Sequence, residues 1–247
     1  MDRLIYSSLA AMRGAMNRQA VIANNLANVN TSGFRGEMSN AQSMWLKGAE
    51  LNGRATMSDE VQGTDMKKGA VASTGRDLDV SVNGDAFLAV QSADGEEAYT
   101  RRGDLAQSPS GLLTTGDGTP VLGEGGPITL PAYDSLSITA DGTIYVVPQG
   151  GDPKAPQAVD KLKLVSAGDT KVSKGMDGLF RVQGGGALPS DPDARVTSKS
   201  LEGSNVSASD ALIQMIDNSR SWDAQVKMLT TAQDMDKSSA ELMNLPE

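Results

Sequence analysis

Near the start of the chain, apolar positions fall at Ile5, Leu9, Met12, Met16, Ala23 and Leu26, an alternating four-three spacing interrupted only by Gln19. Residues spaced this way share one narrow stripe of an α-helix, about the width of a coiled-coil seam. The helix is predicted to stop near Asn30, where Thr31-Ser32-Gly33 offers a glycine at a C′ position. The far end repeats the pattern, with Leu212, Met215, Trp222, Val226, Leu229, Ala240 and Met243 on one register. That register is interrupted by Ser219, Gln233 and Asp236, and Ala211, Ile216 and Ala232 widen its face. Ser207-Ala208-Ser209-Asp210 has the form of a capping box, so this helix is predicted to start there and to end near Leu245-Pro246.

Between the helices the period changes to two. Leu78, Val80 and Val82 alternate with Asp77, Asp79 and Ser81, and Asn83-Gly84 then supplies turn chemistry before Phe87-Leu88-Ala89-Val90, which predicts a hairpin. Asp-Gly pairs at 94–95, 117–118, 141–142 and 177–178 punctuate further short strands, among them Ile138 to Val147 and Leu162 to Val165. The segment 36–69 fits neither period and reads as a mostly polar connector with one packed piece at Trp45-Leu46.

The expected fold class is therefore α+β, a discontinuous coiled-coil-like pair of N- and C-terminal helices plus an inserted all-β domain. Its expected division is 1–35 with 204–247 as a terminal helical domain, 36–69 as connector and 70–203 as β domain. Each helix carries a stripe too narrow to be buried alone, so the two are expected to pack on each other. Charge agrees: residues 1–40 hold four Arg and two acids, whereas residues 204–247 hold three bases and seven acids.

Composition mainly excludes. A net charge of -9 over 247 residues argues against nucleic acid or an anionic membrane as the main partner, since both require clustered Lys and Arg. The chain has no cysteine, so disulfides and thiolate metal sites are ruled out. Met1 to Tyr6 lacks the apolar core of a secretory signal, and no run of eighteen apolar residues occurs, so neither a cleaved leader nor direct membrane insertion is expected. Histidine is absent, which removes Ser-His-Asp and Cys-His catalysis together with the commonest metal ligand.

The remaining candidates are weak. Asp77 with Asp79, or Asp191 with Asp193, would make carboxylate pairs, but acids two apart on an alternating strand are expected on its solvated face. A calcium loop beginning at Asp77 fails because Val82 stands where the turn needs Gly and Leu88 where it needs Glu. Gly123-Glu124-Gly125-Gly126 is followed by Pro127 and a strand-like run instead of the helix of a phosphate cradle. No catalytic, cofactor or metal site is expected.

The string ANNLANVNTSGFR, Ala23 to Arg35, closely resembles the N-terminal signature of flagellar rod and hook proteins. LEGSNV, Leu201 to Val206, resembles the C-terminal half of the same family, and Leu78-Asp79-Val80, Gly84 to Phe87, Tyr99-Thr100-Arg101 and Gly111 to Thr114 resemble its β region. Val121 to Ile128 and the opening Met1 to Tyr6 look like the proximal-rod branch, with the distal-rod branch as the alternative. Two departures stand out: Ala86 replaces the glycine usual in its turn, and Trp222-Asp223 replaces an aromatic followed by Glu.

The resemblance implies terminal helices forming an inner tube, an outer hook-like β domain, and export through the flagellar type III apparatus into the basal-body rod. It implies no catalysis and no cofactor, and as partners other proximal and distal rod subunits, the rod cap and the export gate. The residues expected to carry assembly are Ile5, Leu9, Met12, Met16, Asn24, Asn25, Leu26, Asn28, Gly33 and Phe34 at one end, and Leu212, Met215, Ile216, Trp222, Val226 and Leu229 at the other. From the residues alone two other classes stay open, a secreted carbohydrate- or peptidoglycan-binding module and a carboxylate-based wall hydrolase.

Overall fold

The computed structural model describes the backbone of residues 2–46 and 54–243, and side chains at 6–39, 63–239 and 241. The side chains of Ile5, Trp45, Leu46, Ala240 and Met243, and the helix end expected near Leu245-Pro246, lie outside the described residues. The architecture is α+β, divided into two compact units. Unit 1 collects the described parts of 1–29, 36–65 and 206–247; unit 2 holds 30–35 and 66–205.

Unit 1 contains helix α1, Asp2–Ala27, and helix α2, Ala208–Met243. At 1.5 Å per residue they are about 39 and 54 Å long. The start of α2 follows its capping sequence, for the Asp210 N–H donates to Ser207 Oγ at 3.3 Å. The stretch expected as a connector carries an antiparallel ribbon, β1 (Glu37–Leu46) paired with β2 (Arg54–Thr64). Two strands alone are marginal in water, and this ribbon packs against α1. Asn25 anchors its first residue, donating from Nδ2 to the Glu37 carbonyl at 2.9 Å and accepting the Glu37 N–H on Oδ1 at 2.8 Å.

Unit 2 is built around a five-stranded antiparallel sheet in the order 164–166, 86–91, 97–100, 180–182, 172–174. Its second strand, Ala86–Gln91, is apolar on both faces because both faces are covered. Leu88 and Val90 enter one core with Val80, Leu105, Leu113, Val121, Ile128 and Ile144, while Phe87 and Ala89 enter a second with Tyr99, Val165, Phe180 and Leu188. Each large side chain buried this way contributes about 1.5–3 kcal/mol. Phe87 and Phe180 meet with ring centroids 5.2 Å apart. Ala86 lies within this strand, 3% exposed, and does not have positive φ, so its replacement of glycine carries no backbone strain.

The predicted hairpin at Asn83-Gly84 does not form. Val80–Val82 pairs instead with Val196–Ser198, more than a hundred residues on, and Ser81 is as buried as its neighbours. Asp94-Gly95 and Asp141-Gly142 do close hairpins, joining 86–91 to 97–100 and 133–138 to 143–148, with each glycine at φ above +80° where other residues are strained.

The Leu188 N–H donates to the buried Tyr99 hydroxyl at 2.6 Å, and burial pushes the Tyr99 phenol up to about 12 from 10.0. A group whose neutral form is favoured in the fold contributes stability that is present below pH 10 and lost between about pH 10 and 12. Wild type is therefore expected to lose on the order of 2 kcal/mol more than Tyr99→Phe across that window, read by urea unfolding at stepped pH. Equal losses in the two proteins would disprove the assignment.

Candidate assembly interface

The helices of unit 1 bury a different line of residues from the one their largest apolar side chains mark. On α1 the buried positions include Ser8, Ala15 and Ile22, seven apart, with Met12 and Gln19 half-buried between them and Leu26 half-buried after them. On α2 they are Ala211, Asn218, Gln225 and Ala232, again seven apart, with Met215, Trp222 and Leu229 half-buried between them. The helices touch through Asn218, whose Nδ2 donates to the Ala15 carbonyl and to Gln19 Oε1, both at 2.9 Å.

Several other large apolar side chains among the described residues are exposed. Leu9 and Met16 are exposed on α1, Met16 at 60%, and Leu212, Ile216 and Val226 are exposed on α2, Ile216 at 53%. Tyr6, Ile213, Met228 and Met235, which the four-three template had passed over, are exposed as well. Met12, Leu26, Met215, Trp222 and Leu229 are thus placed at the edge of the helix contact, while Leu9, Met16, Leu212, Ile216 and Val226 form apolar surface that the single chain leaves uncovered. A residue every seven positions was legible in the sequence, but which of two adjacent heptad lines turns inward was not.

The signature amides act within the chain. Asn25 spends both amide atoms on Glu37. Asn28 Nδ2 donates to the Asn24 carbonyl at 2.9 Å and its Oδ1 at 3.2 Å, closing the last turn of α1. That turn is complete at Ala27, so Gly33 is not the C′ residue it was expected to be.

Gly33 serves unit 2. Its φ is +66°, and a Cβ there would sit 2.3 Å from the Arg101 carbonyl oxygen, so only glycine fits. Its N–H donates to the Glu202 carbonyl at 2.7 Å. Phe34 lies half-buried under Lys174 Nζ, 3.8 Å from the ring centroid, and Lys174 also donates to the Arg35 carbonyl at 3.0 Å.

These contacts frame a buried cluster that sequence reasoning missed. The Glu202 carboxylate, 1% exposed, has Oε1 2.6 Å from Arg35 Nη2 and Oε2 2.7 Å from Arg101 Nη2. Arg101 Nε donates to Oε2 at 2.8 Å, and the Gly69 N–H to Oε1 at 3.0 Å. Arg101 further donates to the carbonyls of Val82, Gly84 and Ala86. The N-terminal signature, the Tyr-Thr-Arg motif and LEGSNV therefore converge on one carboxylate, which ties down the points where the chain enters and leaves unit 2.

The acid pairs considered for catalysis are occupied structurally. Asp79 is buried, contrary to the expected solvated face, and accepts from Thr74 Oγ1 at 2.7 Å beside Arg76; Asp77 pairs with Lys199 at 2.9 Å. Asp191 accepts from Ser166 Oγ and from the Asp193 N–H, and the first of these bonds chiefly holds its carboxyl below the usual range. Among the described residues no acid cluster suits a metal ion, and no helix is long and apolar enough to cross a membrane.

Three family descriptions match along the chain: "Flagella basal body rod protein" over residues 5–35, "Flagellar hook protein FlgE/F/G D1 domain" over 81–146, and "Flagellar basal body rod FlgEFG protein C-terminal" over 197–242. The flagellar basal-body rod protein FlgF of Salmonella typhimurium is 39% identical, covering 99% of this chain and all of its own. FlgF of Escherichia coli is 40% identical over 95% of both, and the rod protein FlgG of Bacillus subtilis 29% over 99% of both. With signature residues that build its junction cluster and full-length relatives well above 30% identity, the chain belongs to the flagellar basal-body rod proteins, structural subunits of the flagellar basal body and not enzymes.

Proposed function

We propose that this chain is a subunit of the proximal rod, polymerising through its terminal helices, paired in coiled-coil fashion, into the drive shaft of the basal body. The observation that carries the reading is the row of large apolar side chains, Leu9, Met16, Leu212, Ile216 and Val226 among them, left exposed on both helices. Large apolar side chains recurring along both helices are surface suited to a partner, and non-identical patches that meet without closing generate a helical filament. Neighbouring proximal- and distal-rod subunits would cover these side chains, with the rod cap and export gate as transient partners. Assignment to the proximal rod rests on the identity to FlgF proteins of 39–40%, against 29% to a FlgG protein. The test is the axial position of the labelled subunit in a basal-body density map. Density at the membrane-proximal end is expected; density confined to the distal rod would overturn the assignment.

A further inference from the structure

We infer that Asn218 is a positioning residue that selects the register of α2 on α1. The residues at the junction set the helix direction. The Gly33 N–H bonds the Glu202 carbonyl and the Asn205 N–H bonds the Phe34 carbonyl, so the chain leaving α1 and the chain entering α2 are hydrogen-bonded neighbours. The contact of Ala15 with Asn218 lies twelve residues before the end of α1 at Ala27 and ten after the start of α2 at Ala208. Helices that meet at nearly equal distances from a shared junction run antiparallel.

With that direction, seven residues onward along α1 corresponds to seven back along α2. Ala15 opposite Asn218 then places Ile22 opposite Ala211 and Ser8 opposite Gln225, and all six residues are buried. Each level pairs a small side chain with a larger one, as close helix packing requires. A slide of one heptad would set Ile22 against Asn218, or Ala15 against Ala211, leaving an amide against hydrocarbon or a gap.

The amide is not there for stability. Oδ1 of Asn218 and Oε1 of Gln225 are buried and find no partner among the described residues, an arrangement that costs free energy. Of the two bonds Asn218 donates, the one to a backbone carbonyl has a counterpart in a slid register, at Ser8 or Ile22, but the one to Gln19 does not, because Met12 or Leu26 would stand in its place, so the bond to Gln19 exists in one register only. A buried amide that gives up stability to specify register has precedent in coiled coils. A one-heptad slide would displace the outward apolar residues of one helix relative to the other by about 10.5 Å. That consequence for assembly rests on the proposed polymerisation; the register itself does not.

The chain lacks cysteine, so engineered pairs report register against a clean background. In the full-length chain under mild oxidation, Ile22→Cys with Ala211→Cys reads the observed register, while Ala15→Cys with Ala211→Cys and Ser8→Cys with Ala232→Cys read the two one-heptad slides. The observed pair is expected to cross-link and the slid pairs to lag. Adding Asn218→Ala or Asn218→Leu is expected to cut that selectivity about fivefold, the weight of one amide hydrogen bond. Asn218→Leu is also expected to raise the thermal midpoint of the helical signal, an effect opposite to that of losing a merely structural contact. Equal cross-linking of all pairs in the parent chain, or selectivity that survives both substitutions, would overturn the inference. Rod formation is not part of the readout, so its failure would bear on the assembly reading alone.

Discussion

Glu202→Ala is expected to lower the stability of unit 2 by about 3–5 kcal/mol, the usual consequence of removing one member of a buried ionic network. The carboxylate lies between Arg35 and Arg101, each almost fully buried, and it accepts from both as well as from the Gly69 N–H. Without it each of the two guanidinium groups loses its carboxylate partner in a low-dielectric site. Glu202→Gln keeps the shape but not the charge and is expected to fall between alanine and wild type. Both tryptophans, Trp45 and Trp222, lie in unit 1, whereas three of the four tyrosines, Tyr99, Tyr133 and Tyr145, lie in unit 2. Urea unfolding followed by tyrosine near-UV dichroism therefore reads unit 2, and tryptophan fluorescence reads unit 1, which matters because a two-unit chain need not unfold in one step. A loss below about 1 kcal/mol in the tyrosine signal would mean that Arg35 and Arg101 are satisfied without the carboxylate.

Ile216→Asp and Val226→Asp are expected to abolish rod assembly and motility while leaving the free chain folded. Both side chains are exposed, so substitution in the free chain should cost no more than the helix propensity of Asp, about 0.7 kcal/mol. If the same positions are covered by a neighbouring subunit, an unpaired carboxylate there costs several kcal/mol at every contact along the filament. Leu26→Asp makes a useful contrast. Leu26 is already half-buried in the single chain, so this variant is expected to lose helical signal as well as assembly. Circular dichroism of the purified variants, swimming assays and electron microscopy of basal bodies separate these effects. Motile cells with rods carrying Ile216→Asp at normal occupancy would remove these faces from the assembly surface.

Local features were legible in advance because they depend on neighbours in sequence. The capping residues of α2, the Asp-Gly turns and the helical period at both ends are set by backbone preferences within a few residues. The Gly36 to Thr64 stretch was not legible as a ribbon. Its polar residues show no alternation of their own, and it is held by a partner strand, by α1 and by the amide of Asn25. Val80–Val82 shows the same limit: alternation predicted a half-exposed hairpin strand, but the strand is buried throughout and pairs with the distant Val196–Ser198.

By itself, then, the sequence determined two amphipathic ends, a turn-punctuated β insert and the lack of a histidine- or cysteine-based site, since each follows from local spacing or from composition. Only the tertiary structure decided which heptad line of each helix turns inward. Leu9 and Met16 are more apolar than Ser8 and Ala15, but Ser8 and Ala15 are small enough to let α2 approach with Gln225 and Asn218 between the helices, and this leaves Leu9 and Met16 outside. The junction was likewise decided only in three dimensions. Arg35, Arg101 and Glu202 are far apart in the chain, and a charge becomes a structural centre only where folding removes water from around it.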